Sequence, residues 1–264
     1  MPIITISRGS YYHGKSIAQK LAQKLDYSCI SRDRIVDNLE EFHLPEIKLT
    51  RGLNDAFSIL DRFPHGKKRF KTAIKSEILQ HFVQRNIVYH GLVGHHFASD
   101  ISHVLKVRIL ADTDNRVKDE MARENIPEEQ AHFILKKDDD ERRKWGMFLY
   151  GIDITNPEAY NIILRIGHLS EDEAVDIIAN AIKLPSFQET PESLAQLADS
   201  ATTALVEREL FDFPNATVAV NNGSVKISLK VPENQQQVIQ ERIEEMMAGI
   251  KEIKGFSLQF ETYF

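Results

Sequence analysis

The chain has 264 residues, 42% hydrophobic and 27% charged, which supplies enough apolar material for a packed core and excludes a disordered chain. A formal net charge of −6 excludes a general nucleic-acid binder, which leads with a basic surface, yet leaves room for a local basic site. The single cysteine, Cys29, excludes an intramolecular disulfide, and no run approaches the ~20 apolar residues of a membrane span, so a soluble, cytoplasmic protein is expected.

Ile3-Ile4-Thr5-Ile6, bounded by Arg8-Gly9, reads as a short buried strand and is too brief for the apolar region of a signal peptide. A helix follows from about Lys15, with Ile17, Leu21 and Leu25 on one face. A brief strand at Ser28–Ile30 precedes a mostly helical stretch to about Gln84. Asn86–His90 and Val104–Ala111 read as further strands, with helical segments before and after the second. Strands alternating with helices predict an α/β fold, a parallel sheet covered on both faces. Ser170 with Glu173 forms a capping-box pattern for a helix over Asp172–Lys183, closing a first domain at residue 184.

Pro185–Pro191 has linker composition. Thr190 and Pro191 then open a helix carrying Leu194, Leu197, Ala201 and Leu205. Two alternating strands flank Asn222-Gly223, the strongest short hairpin signal. A helix over about Gln235–Ala248 and a last strand around Phe256–Phe260 complete a small α+β domain, 192–264, of order α-β-β-α-β.

Gly9-Ser10-Tyr11-Tyr12-His13-Gly14-Lys15-Ser16 matches G-x-x-x-x-G-K-[ST] and lies between a strand and a helix, where a P-loop must lie. The glycines let successive N–H groups turn toward phosphate oxygens, and the helix N-terminus adds partial positive charge. Lys15 is expected on the β- and γ-phosphates of ATP, and the Ser16 hydroxyl on Mg²⁺. Tyr11, Tyr12 and His13 are bulkier than is common there; they either fold over the nucleotide or pack outward. Val107–Asp112 has the outline of a motor protein's metal-binding strand, but Arg108 interrupts it. Lys136–Trp145 instead offers the arginines of a kinase lid, although its charges alone equally describe a solvated helix face.

Five further segments carry a resemblance. They are Cys29-Ile30-Ser31-Arg32-Asp33, Val88–His95, His103–Ile109, Asp139-x-x-Arg142, and Tyr150-Gly151-x-Asp153 followed by Pro157 and Tyr160. Together with the P-loop they make residues 1–184 similar to the cytidylate-kinase-like family. The resemblance implies a nucleoside-monophosphate-kinase fold with an acceptor-binding insertion at about 33–84 and a lid at about 115–148. It places Gly9, Gly14, Lys15 and Ser16 on ATP, Asp33 at the acceptor or metal, and Asp139 and Arg142 on acceptor and phosphates. Where the family continues Gly-Arg-Asp, this chain has Gly91-Leu92-Val93. Arg62 and Arg69 of the insertion are then candidates to grip the acceptor phosphate beside Gly91.

Other signals are weaker. Arg116 is a candidate to pack on the adenine, and His90 to touch the ligand at a strand end. His95-His96 diverge too far on a helix to share a metal. The C-terminal domain resembles a BON module in element order, which implies a lipid, ligand or docking partner. The expectation is phosphoryl transfer from ATP to a nucleoside monophosphate such as CMP; the rival is a non-catalytic nucleotide sensor.

Overall fold

The computed structural model describes residues 2–8, 11–38, 65–91 and 93–261. In chain order the first elements are β1 (Ile3–Arg8), α1 (Tyr11–Leu25), β2 (Ser28–Ser31), α2 (Arg32–Asn38), α3 (Gly66–Val83) and β3 (Ile87–His90). Then come β4 (Val104–Ala111), α4 (Thr113–Glu124), α5 (Glu128–Trp145), β5 (Ile162–Ile166) and α6 (Glu171–Ala181). The chain ends with α7 (Pro191–Glu209), β6 (Thr217–Asn221), β7 (Ser224–Lys230), α8 (Gln236–Ala248) and β8 (Gly255–Glu261). The described residues divide into two compact units, one holding Gln84–Thr190 with the residues up to 38, the other α3 with Pro191 onward.

The first unit is a five-stranded parallel sheet of order β2-β3-β1-β4-β5. β1 is buried along its whole length up to Arg8, as its near-continuous apolar run requires of a strand covered on both faces. Ile17 and Leu21 of α1 and Val175 and Ile178 of α6 pack on one face against Ile4, Ile6, Val88, Leu105 and Val107. Each such buried side chain contributes about 1.5–3 kcal/mol. On β4, the arginine that interrupts the apolar run is satisfied internally. Arg108 donates to the Ile154 carbonyl and lies 3.2 Å from the Tyr160 hydroxyl, which is 3.1 Å from Ser7 Oγ. A buried charge is tolerated there because it is hydrogen-bonded.

β5 was not among the strands read from the sequence. It is an edge strand, half-exposed on alternate residues, and Arg165 within it pairs with Asp112 at 3.0 Å. Helix α5 runs on into a π-turn, Gly146–Tyr150, which Gly151 ends with φ 70°.

In the second unit β6 and β7 form the antiparallel hairpin, with β8 parallel to β7. Its turn residues Asn222 and Gly223 have φ 49° and 80°, and their N–H groups donate to the Asp199 carboxylate at 2.7 and 2.9 Å. Ile227, Leu229, Ile243 and Met247 are at the centre of its core. Helix α3, assigned by sequence to the first domain, packs here instead. Lys75 meets Glu207 at 3.5 Å and Gln80 donates to the Ala201 carbonyl, both on α7. Phe70, Ile74, Ile78 and Phe82 of α3 are buried.

This arrangement sets what a truncation after Leu184 does. It removes α7 and leaves the apolar stripe of α3 uncovered, so the fragment should bind a hydrophobic dye and melt over a broad range. A sharp melt without dye binding would show that α3 needs no α7.

Candidate active site

β1 ends at Arg8, and α1 begins at Tyr11; Gly9, Ser10 and Arg62 lie outside the described residues. A Cβ on Gly14 would stand 2.6 Å from Arg8 Cβ, so only glycine lets the first turn of α1 close onto the strand end. Lys15 is exposed beside it. Ser16 Oγ donates to Glu171 Oε2 at 2.5 Å, and His13 Nδ1 lies 2.8 Å from Glu171 Oε1. His13 Nε2 is 3.2 Å from Asp119, and Lys20 Nζ is 3.1 Å from Glu171. Burial pushes the Glu171 carboxyl up, but hydrogen bonds from Ser16, His13 and Lys20 outweigh it and leave it below the usual range. Two more ion pairs, Lys20–Asp172 and Lys24–Asp176, hold α1 against α6.

Arg142 of α5 reaches the same strand end. Arg142 Nη1 donates to the Arg8 carbonyl at 3.4 Å. Burial lowers its pKa; Asp138 and Asp139 oppose that shift, while Arg116 and Arg32 add to it. Arg116 forms a bidentate pair with Asp139, both contacts at 2.8 Å. Arg32 Nη2 donates to Asp33 at 3.0 Å. A Cβ on Gly91, whose φ is 154°, would meet Arg32 Cβ at 2.6 Å, so Arg32 crosses over this glycine.

His90, at the end of β3, is buried, and its Nδ1 has no hydrogen-bond partner among the described residues. Burial holds its imidazole down at about 4, with Arg8 lowering it further, Asp33 opposing and Lys15 adding a little. Among the described residues, Lys15, Arg8, Arg32, Arg116 and Arg142 thus gather at one strand end, against the carboxylates of Asp33, Asp138, Asp139 and Glu171. The excess is positive, and it suits a polyphosphate.

Of the residues singled out in the sequence, the structure brings together His13, Gly14, Lys15, Ser16, Asp33, Gly91, Arg116, Asp139 and Arg142. Arg69 falls in the second unit, where it donates to Asp212 at 3.3 Å. Glu171 and Arg32 are additions. Only the N-cap pattern at Ser170 hinted that Glu171 begins a helix.

A parallel sheet of this order, a Gly-Lys-Ser sequence after its first strand and an arginine of α5 on that strand's end define a P-loop kinase, a phosphotransferase. Residues 3–168 match the model of the cytidylate kinase-like family, and the chain belongs to that family. It is 27% identical over 171 residues to a cytidylate kinase of Sulfolobus acidocaldarius, a match covering 63% of this chain and 86% of that one. A solved structure of an uncharacterized protein from Eubacterium ventriosum shares the fold, with TM-score 0.54 and 24% identity over 69% of this chain and 97% of the other. Among the described residues no helix is long and apolar enough to cross a membrane.

Two predictions come from this geometry. The Glu171 carboxylate against Ser16 opposes an anion in the loop, so Glu171→Gln should tighten metal-free tripolyphosphate binding several-fold, by about 1 kcal/mol. Calorimetry checks this, and unchanged affinity would reduce Glu171 to a brace between helices.

The second concerns acid. His95, whose ring lies 4.6 Å from that of Tyr160, is held down at about 3 by burial, with His96, Arg108 and Lys106 adding to it. His90 and His95 are neutral in the folded chain, and both titrate near 6.5 when unfolded. Below that pH the unfolded state binds more protons, so stability is full above pH 6.5 and is lost as pH falls toward 4. The slope is up to ~1.4 kcal/mol per pH unit for each group. His95→Phe should remove one proton from the slope between about pH 6 and 5, where carboxylates contribute little. Denaturant titrations across that range measure it.

Proposed function

We propose that the protein transfers the γ-phosphoryl group of ATP to a nucleoside monophosphate, CMP before UMP. The observation that carries this reading is Arg142, a lid side chain hydrogen-bonded to the backbone of the residue that leads into the P-loop. Lys15 binds the transferring phosphates, and Arg142 shields their oxygens as charge redistributes in the transition state. Asp139 is a positioning residue that holds Arg116 beside Arg142. Asp33 orients the acceptor. Arg32, seated over Gly91, takes the place of the arginine that the family carries after that glycine.

The Ser16 hydroxyl and the adjacent Glu171 carboxylate are hard oxygen donors and fit Mg²⁺, directly or through water. When bound, the ion neutralises charge on the β- and γ-phosphates. His90 Nδ1, without a hydrogen-bond partner among the described residues, and the excess of arginine fit the nucleotide's polar groups. The lid holds Arg142 on the strand end and excludes water from the transferring group.

The test is ADP formation at saturating Mg·ATP across a panel of nucleoside monophosphates. CMP should accelerate it well above the rate without acceptor, and no acceleration would exclude the cytidylate assignment. ATP binding without turnover on any acceptor would favour the sensor. Lys15→Ala should abolish ATP-induced thermal stabilisation while leaving the apo protein folded. Arg142→Ala should lower kcat on the order of 10²-fold, ~3 kcal/mol, with ATP affinity little changed. Arg32→Ala should raise KM for the acceptor more than for ATP.

A further inference from the structure

Ser7 of β1 and Arg108 of β4 are register partners, and both are buried. Arg108 donates to the Ile154 carbonyl and, at 3.2 Å, to the Tyr160 hydroxyl; among the described residues it has no carboxylate partner. The Tyr160 hydroxyl lies 2.8 Å from the Ile154 carbonyl oxygen and 3.1 Å from Ser7 Oγ. A carbonyl only accepts, so the phenolic proton goes to Ile154 and the Ser7 hydroxyl donates to Tyr160. That oxygen gives one hydrogen bond and accepts two, which fills its capacity. A buried guanidinium without a counter-charge is costly, and apolar side chains of similar volume would serve stability as well. A local rule broken in this way points to a geometric role.

What the network reaches is the end of α5. Ile154 packs on Gly146, where a Cβ would stand 2.8 Å from Ile154 Cγ2 and 2.9 Å from the Ile152 carbonyl oxygen. Gly146 N–H donates to the Arg142 carbonyl, and Ile152 N–H donates to the Gly146 carbonyl at 3.2 Å. Arg142 Nη1 donates in turn to the carbonyl of Arg8, the residue after Ser7. The contacts close a ring, from Ser7 through Tyr160, Ile154, Gly146 and Arg142 back to Arg8. Two neighbouring residues of β1 are therefore the two ends of one path, and the path fixes how α5 stands on the strand. The Asp153–Arg143 pair at 3.3 Å runs beside it but is open to water, where such a pair holds little.

We propose that the Tyr160 hydroxyl is a positioning group, which acts through Ile154 and Gly146 to hold Arg142 on the end of β1. Its consequence for turnover rests on the reading of Arg142 given above. Without the hydroxyl, the segment at Ile154 loses its tie to Ser7, and Arg142 can leave the Arg8 carbonyl while Lys15 stays in place.

Tyr160→Phe in the full chain is the test, because the ring beside His95 and Arg108 remains and only the hydroxyl goes. Ser7→Ala cuts the same tie from the strand side and replaces it if Tyr160→Phe fails to fold by circular dichroism. One readout needs no reaction: phenylglyoxal modification of Arg142, mapped by mass spectrometry with Arg242 of α8 as internal reference. It should be several-fold faster in either variant. The other is kcat with the best acceptor, which should fall on the order of tenfold with KM for ATP unchanged. In an Arg142→Ala background Tyr160→Phe should cost nothing further, because both changes remove one interaction. An unchanged modification rate at Arg142 would overturn the proposal whatever the acceptor is. So would a kcat loss that adds in full to that of Arg142→Ala. Faster modification without turnover on any acceptor would uphold the positioning and overturn only the kinase reading.

Discussion

The first unit is organised around one electrostatic constraint: a strand end must hold several cations close together before any phosphate arrives. Arg142 shows the cost, because burial and the neighbouring Arg116 and Arg32 both disfavour its charge. The fold meets this with carboxylates at fixed distances. Asp139 takes Arg116 in a bidentate pair, and Asp33 takes Arg32. These acids offset part of the repulsion between the gathered cations without cancelling the field. What remains is preorganised for an anion, so the reorganisation that water would require has been done during folding. The parallel sheet makes the gathering possible, since every strand delivers its C-terminal end to the same edge.

The same logic explains the long reach of Glu171. It is 155 residues from Ser16, yet α6 packs directly on α1, and Lys20 and Lys24 align the two helices through Asp172 and Asp176. Exposed ion pairs of this kind contribute little stability singly. Their effect here is register: they set which residue of α6 faces the loop. The Glu171 carboxylate thereby accepts the Ser16 hydroxyl proton at the start of α1.

How much of this was legible follows the range of each interaction. The P-loop, the capping box at Ser170, the Asn222-Gly223 hairpin and the buried run of β1 are local patterns, and sequence spacing exposes them. Arg142 was visible through the ordered resemblance of its segment, not through its charge, which equally described a solvated helix face. Glu171 was not visible, because its role depends on the packing of two distant helices. β5 was missed because an edge strand need not carry a continuous apolar run, and Arg165 breaks this one. Helix α3 reads as helical from its residues, but nothing local says which unit covers its apolar stripe.

The fate of β4 distinguishes the kinase from the motor that its sequence outlines. A motor ends this strand in an acid free to orient a metal-bound water. Here Asp112 accepts from Arg165 at 3.0 Å, and Gly167 packs so close that a Cβ there would stand 2.4 Å from the Asp112 carboxylate. Arg108, two positions before Leu110, is turned into the fold by Ile154 and Tyr160 instead of breaking the strand. Both residues are thereby committed to joining β4 to β5 and to the segment after the lid. That segment carries Tyr150, Gly151 and Asp153; Asp153 in turn pairs with Arg143 of the lid helix at 3.3 Å. The strand that would serve metal chemistry in a motor therefore anchors the segment that follows α5.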